Sequence, residues 1–187
     1  MSGEVSRRTA LVTRFRDAFT ANGGSCHGPL PPDEAADVAV GLALERSGGR
    51  RVALPTGDPL LDGLSLPARL RARGGDVLCA HDPEWAQAIA SAGAGVTAAL
   101  YGLAATGSVG VECGPGRPRS VSLVPPAHVC LLPETALVEG LHEVLGSITL
   151  LPSAMTWISG PSRSADLEMT ITLGVHGPGS VDVVLVG

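Results

Sequence analysis

Residues 51–93, RVALPTGDPLLDGLSLPARLRARGGDVLCAHDPEWAQAIASAG, decide the fold class. A short apolar run, RVAL at 51–54, leads into the turn PTGDP at 55–59. A Leu-rich stretch with helical spacing then covers 59–73 and stops at Gly74-Gly75. A second apolar run, DVLCA, follows at 76–80. DPEWAQAIASAG at 82–93 reads as another helix, with a proline and acidic residues at its front, where the helix dipole favours them. Short strand, amphipathic helix, short strand, helix is the pattern of a parallel sheet with helices on its faces.

The flanks extend this pattern. Val5, Leu11, Val12, Phe15 and Phe19 recur at near-helical spacing over 4–20, and Asn22-Gly23-Gly24 stops that helix. Residues 24–32 hold three prolines and read as a loop. A helix follows in PPDEAADVAVGLALERSGG, between its leading prolines and Gly48-Gly49. Downstream, 96–107 is small and apolar, either strand then turn or a short buried helix. SVGVEC at 108–113 alternates like a strand, GPGRPR at 114–119 is a turn, and SVSLVPP reads as the returning strand of a hairpin. HVCLLP at 128–133 is a further strand, and 134–148 is helical with Leu137, Leu141 and Val144/Leu145 on one face. VDVVLV at 181–186 is almost wholly apolar, so it belongs in the middle of a sheet or under good cover. The expected architecture is a three-layer α/β fold, its sheet mixed or mostly parallel. Residues 1–24 form an N-terminal helical extension and 25–187 the α/β domain.

Composition narrows the function. The chain has 187 residues, 44% hydrophobic and 17% charged, which excludes wholesale disorder. Thirteen basic against eighteen acidic residues give a net charge of −5, which argues against binding nucleic acid by neutralising many phosphates. Every basic residue is arginine, so lysine Schiff-base and P-loop lysine chemistry are excluded. Aromatic residues at 3% make a poor base-stacking platform. The N-terminus lacks the apolar core of a secretory signal, and the apolar runs break well before the roughly 20 residues of a membrane span, so a cytoplasmic location is expected. Cys26, Cys79, Cys113 and Cys130 are widely spaced and form no CxxC pair, which points away from zinc and iron–sulfur ligation. No metal and no cofactor are expected.

Two segments concentrate polar chemistry: SGPSRSADLE at 159–168 and GVHGPG at 174–179. Arg163 carries a rigid fork of N–H donors suited to a carboxylate or phosphate. Ser162 and Ser164 are capping residues, and a helix starting at either would offer free N–H groups to an anion. Asp166 and Glu168 would orient the site, or else pair with Arg163 in a capped surface turn. His176 suits acid–base work or an anionic ligand, or is a structural loop histidine. Arg117 and Arg119 flank a proline, either facing an anion or capping a solvated hairpin; His128 opens a strand; Thr106 lies in a Gly-hydroxyl turn without dinucleotide-motif spacing. GxSxG and HExxH are absent, and His27, His81 and His142 read as structural.

These segments together resemble the LUD-domain family, of the lactate utilization protein C type. Residues 96–131 match its order of Thr-Gly turn, strand, Pro-flanked arginine turn and Ser-Leu-x-Pro-Pro-x-His, and SGPSRSADLE with GVHGP are its most distinctive motifs. The likeness is carried by Thr106, Gly107, Arg119, Pro125, Pro126, His128, Gly160, Pro161, Ser162, Arg163, Ala165, Asp166, Glu168, Gly174, His176 and Gly177. Relatives often have an aspartate where this chain has Leu100 and a glutamate where it has Ala105. The resemblance implies a fold similar to the sugar-phosphate isomerase, CoA-transferase and formyltetrahydrofolate cyclo-ligase group. It implies an accessory, cluster-free component of a system that oxidises L-lactate to pyruvate, binding a small anion beside iron–sulfur cluster-binding partner proteins. The alternatives are an independent enzyme or binding protein for a phosphorylated or CoA-type metabolite, and a structural or assembly module. In the binding readings Arg163 and His176 converge with Ser162 or Thr106; in the structural one Arg163 is saturated by Asp166 or Glu168.

Overall fold

A computed structural model of the chain describes residues 2–147, 153–165, 171–173 and 177–187. In chain order its elements are α1 (Ser2–Ala21), β1 (Ser25–Leu30), α2 (Pro32–Ser47), β2 (Val52–Leu54), α3 (Pro59–Gly63), α4 (Leu66–Ala72), β3 (Val77–Cys79), α5 (Trp85–Ala88), β4 (Ala94–Ala98), β5 (Tyr101–Leu103) and β6 (Ser108–Cys113). There follow α6 (Ser120–Leu123), β7 (Ala127–Pro133), β8 (Leu137–Val138), α7 (Leu141–Ser147), β9 (Ala154–Ile158), β10 (Arg163–Ala165), β11 (Ile171–Leu173) and β12 (Ser180–Val186).

Six strands form the central sheet in the order β1-β12-β7-β4-β2-β3, and every pairing in it is parallel. The apolar strand β12 lies inside it, pairing Val183 with Cys130 of β7 and with Cys26 of β1. A smaller sheet, ordered β8-β5-β6-β9, lies apart from it, and β10 and β11 make an antiparallel pair. The molecule is thus the expected three-layer α/β fold.

Alternation of side chains along the central strands sends apolar groups to both faces. One face packs Val96, Val129, Leu131 and Val184 against Ala35, Ala36, Ala39, Val40 and Ala43 of α2 and against Leu61, Leu66 and Leu70 of α3 and α4. The run of alanines lets α2 lie close to the sheet. The other face packs Cys130, Leu132, Val183 and Leu185 against Phe15 and Phe19 of α1 and Val109, Val111 and Ile158 of the small sheet. Phe15 and Phe19 are fully buried and stacked, with ring centroids 5.7 Å apart. Leu11, Val12, Phe15 and Phe19 of α1 thus belong to the same core as the sheet.

Several local expectations need correction. Residues 25–30 form strand β1 despite their proline: as an edge strand it needs partners on one side only, and β12 supplies them. Residues 120–123 are helical, not the second strand of a hairpin. Pro118 starts the turn, and Val121 and Ser122 donate to the carbonyls of Pro118 and Arg119. That helix carries the chain across to a parallel β7. The helix expected over 59–73 is two, separated at Ser65 (φ 53°). Of the one over 134–148, Leu137 and Val138 pair with β5 instead, and the helix among the described residues there is α7. Finally, Arg163–Ala165 is a strand, paired Arg163 with Leu173 and Ala165 with Ile171, so no helix N-terminus arises at Ser162 or Ser164 to seat an anion. Among the described residues, no helix is long and apolar enough to cross a membrane.

Candidate functional site

Three of the residues singled out in the sequence meet at the end of α1. The helix stops at Asn22, whose amide Nδ2 donates to the Thr106 carbonyl (2.9 Å) and whose own carbonyl accepts from Arg163 Nη2 (2.9 Å). Thr106 Oγ1 is 2.7 Å from Ser108 Oγ, and Ser108 Oγ is 2.7 Å from Ser159 Oγ, making a chain of hydroxyls toward the start of SGPSR. Ser162 N–H donates to the Pro178 carbonyl (2.8 Å), which joins this loop to the end of the GVHGPG segment. Gly107 fits because its φ of +59° is left-handed and because a Cβ there would strike the backbone of Ala18 and Phe19. The guanidinium of Arg163 is exposed and forms no ion pair among the described residues.

The remaining candidates separate. His176, Asp166, Glu168 and Gly174 lie outside the described residues, and of Ser164 only the backbone is described, in β10. Arg119 is exposed just before α6, with no side-chain partner among the described residues. His128 is fully buried in β7. Its Nε2 lies 2.8 Å from Thr97 Oγ1, and its Nδ1 has no partner among the described residues. Burial pushes its pKa down from 6.5 to about 4, and the nearby Asp182 carboxylate only partly opposes this, so the imidazole is neutral at physiological pH.

A second polar constellation follows from the strand order. After β2 the chain moves outward to β3, then returns to β4 on the other side of β2 and continues to β7. The connections leaving β2 and β4 therefore diverge, and a crevice opens beyond their carboxyl ends, where ligands bind in open parallel sheets. It encloses a cavity of about 410 Å³ walled by Asp58, Leu60, Leu100, Glu112, Arg117 and Thr135 among others. A narrow recess shares Asp58, Ala98, Glu112 and Arg117 with it and is lined also by Thr97 and Val121.

Local chemistry builds these walls. Asp58 caps α3, its Oδ1 accepting from the N–H groups of Leu60 (3.0 Å) and Leu61 (3.1 Å). Arg117 Nη1 lies 2.8 Å from Glu112 Oε2. The turn after β6 is clamped onto the loop after β2, with Thr56 N–H donating to the Gly116 carbonyl (2.7 Å). Gly116 has φ +72°, and a Cβ there would lie 2.7 Å from the Thr56 carbonyl oxygen. Nearby, Thr56 Oγ1 is 2.9 Å from His81 Nδ1. Sequence reasoning noted Arg117 but passed over Asp58, Thr97 and Glu112. PTGDP directly after a parallel strand was the available signal, but which strands flank the switch point is not written locally. Among the described residues, no group of three or more His, Cys, Asp or Glu is placed to hold a metal ion.

Comparison with known proteins adds a family. The LUD domain model matches residues 12–186. Lactate utilization protein C of Halalkalibacterium halodurans is 35% identical over 150 residues, 76% of this chain and 65% of that protein. The protein of the same name from Deinococcus radiodurans is 31% identical over 186 residues, covering 96% of this chain and 81% of its own length. In the Exiguobacterium relative the matched stretch is 43% of the protein, so the chain spans from under half to about two thirds of the first relatives it matches. A crystal structure of a DUF162 family protein from Deinococcus radiodurans superposes with a TM-score of 0.66 at 24% identity, over 96% of this chain and 98% of the other, and supports the fold.

Proposed function

Because this chain belongs to the LUD-domain family, we propose that it serves L-lactate utilization as the accessory, cluster-free component of a lactate-to-pyruvate oxidation system, binding a small anion through Arg163. The relatives named lactate utilization protein C support the process. The observation that supports the ligand is that Asn22 bonds both Arg163 and the Thr106 carbonyl, with the hydroxyls of Thr106, Ser108 and Ser159 linked in turn. An exposed guanidinium there has one hydrogen-bond partner among the described residues, a neutral carbonyl, beside a chain of hydroxyls. Arg163 retains N–H donors for a carboxylate, and the hydroxyls can donate to its second oxygen. In this reading Ser162, Ser164 and His176 complete the seat, Asp166 and Glu168 orient Arg163, and the partners are iron–sulfur cluster-binding proteins of the cytoplasm.

The test pairs genetics with binding. A strain that grows on L-lactate and lacks this gene should regain lactate-dependent electron transfer with the wild-type gene and not with Arg163→Gln. The purified wild-type protein should bind L-lactate or pyruvate about tenfold more tightly than the variant, the worth of one charge-assisted hydrogen bond. Unimpaired lactate oxidation in the deletion strain would overturn the role; equal affinities would overturn the site.

A further inference from the structure

We propose that the crevice between β2 and β4 binds an uncharged organic ligand through a carbonyl oxygen flanked by an N–H or O–H donor, the edge of a carboxamide or cyclic imide carried on an apolar ring. The inference stands apart from the anion site at Arg163 and uses different residues.

The carbonyl follows from the proton on Thr97. His128 is sealed in the sheet with Nδ1 unpartnered among the described residues. A buried N–H without an acceptor costs more than an unused lone pair, so the ring proton resides on Nε2. Nε2–H then donates to Thr97 Oγ1. Among the described residues the Thr97 hydroxyl proton has only Cys130 Sγ, at 3.7 Å, as an acceptor, and thiol sulfur is a weak one. Thr97 also lines the recess, which has a volume of about 10 Å³, room for a single water-sized atom group. His128 thus leaves the Thr97 hydroxyl proton for one small acceptor atom in that recess. Arg117 lines the same recess.

The absence of charge follows from the walls. Two carboxylates, Asp58 and Glu112, face the cavity with one guanidinium, and Arg117 is already paired with Glu112. A free carboxylate or phosphate would be a further anion around a satisfied arginine. A neutral carbonyl carries no such penalty, and an adjoining N–H or O–H finds acceptors in Glu112 and in Asp58 Oδ2, since Asp58 Oδ1 is taken up by the cap. The apolar ring matches Leu60, Leu100, Pro59, Pro133 and Ala136, which line the larger cavity. Its volume suits a molecule larger than lactate.

Riboflavin and nicotinamide are the probes, titrated into the full chain by equilibrium dialysis, with sodium L-lactate and phosphate as competitors. Saturable micromolar binding of riboflavin, displaced by nicotinamide and not by either anion, is expected. Thr97→Val should weaken it about tenfold, and Thr97→Ser, which keeps the hydroxyl, should restore it. Leu100→Trp, at an exposed position on the mouth, should abolish binding without disturbing the fold, which keeps the test decisive if Thr97→Val does not fold. No saturable binding of either probe, displacement by L-lactate, or full affinity in Leu100→Trp would overturn the proposal. None of these results bears on Arg163.

Discussion

Acid should loosen this protein through His128. In the unfolded chain the imidazole takes up a proton at its ordinary pKa of 6.5, and in the folded chain only near 4, because burial excludes the charge. Between those values the unfolded state binds the extra proton, so stability is fully present above pH 6.5 and is lost as pH falls toward 4. The slope is about 1.4 kcal/mol per pH unit, and the total is about 3 kcal/mol. That is a large share of the roughly 5–15 kcal/mol typical of a domain. Urea unfolding followed by far-ultraviolet circular dichroism at half-unit steps from pH 4 to 8 measures it. His128→Leu supplies the reference, since it cancels the carboxylates that titrate in the same window. The difference between wild type and variant should decline with acid from pH 6.5 to 4 and be level above. A flat difference throughout would refute the reasoning and mean that the imidazole gains a partner or water in the folded state.

Other perturbations separate the layers. Phe19→Ala should cost about 3–5 kcal/mol, read in thermal melts, because the fully buried ring joins α1 to the sheet. Gly107→Ala should cost roughly 2 kcal/mol or more, from strain at φ +59° and collision with the α1 backbone; an unchanged melting temperature would show that the Thr-Gly turn does not pack there. Asp182 is 1% exposed and holds Arg46 (Nε 3.1 Å) with His27 nearby. Asp182→Ala should cost about 2–3 kcal/mol in urea unfolding, toward the low end for a broken buried pair, since Arg46 reaches solvent. Cys130, buried with its thiol pushed up to about 12 by burial, should resist iodoacetamide in the native protein and react once urea unfolds it.

The polar residue types around Arg163 mark that segment in the sequence, and in the structure Thr106 and Arg163 both bond Asn22 at the end of α1. The expected helical seat was not there. SGPSR suits a capped helix locally, but pairing with Ile171–Leu173 holds 163–165 extended. SVSL misled in the opposite direction, since a short run alternating serine with apolar residues was enough to suggest a strand, while Pro118 and the crossing to a parallel neighbour make it helical. Segments this short carry little intrinsic preference, so their surroundings decide.

What the sequence by itself determined is what periodicity and punctuation encode within a dozen residues. It determined the alternation of strands and helices, the amphipathic α1 with its two phenylalanines, and the all-apolar last strand that had to be interior. Only the tertiary structure decided the strand order, and with it the switch point between β2 and β4. The crevice there gathers Asp58, Thr97, Leu100, Glu112, Arg117 and Thr135 from separate parts of the chain. Each sits beside the others because both faces of one sheet had to be covered at once, a constraint on the whole chain that no local window of residues contains.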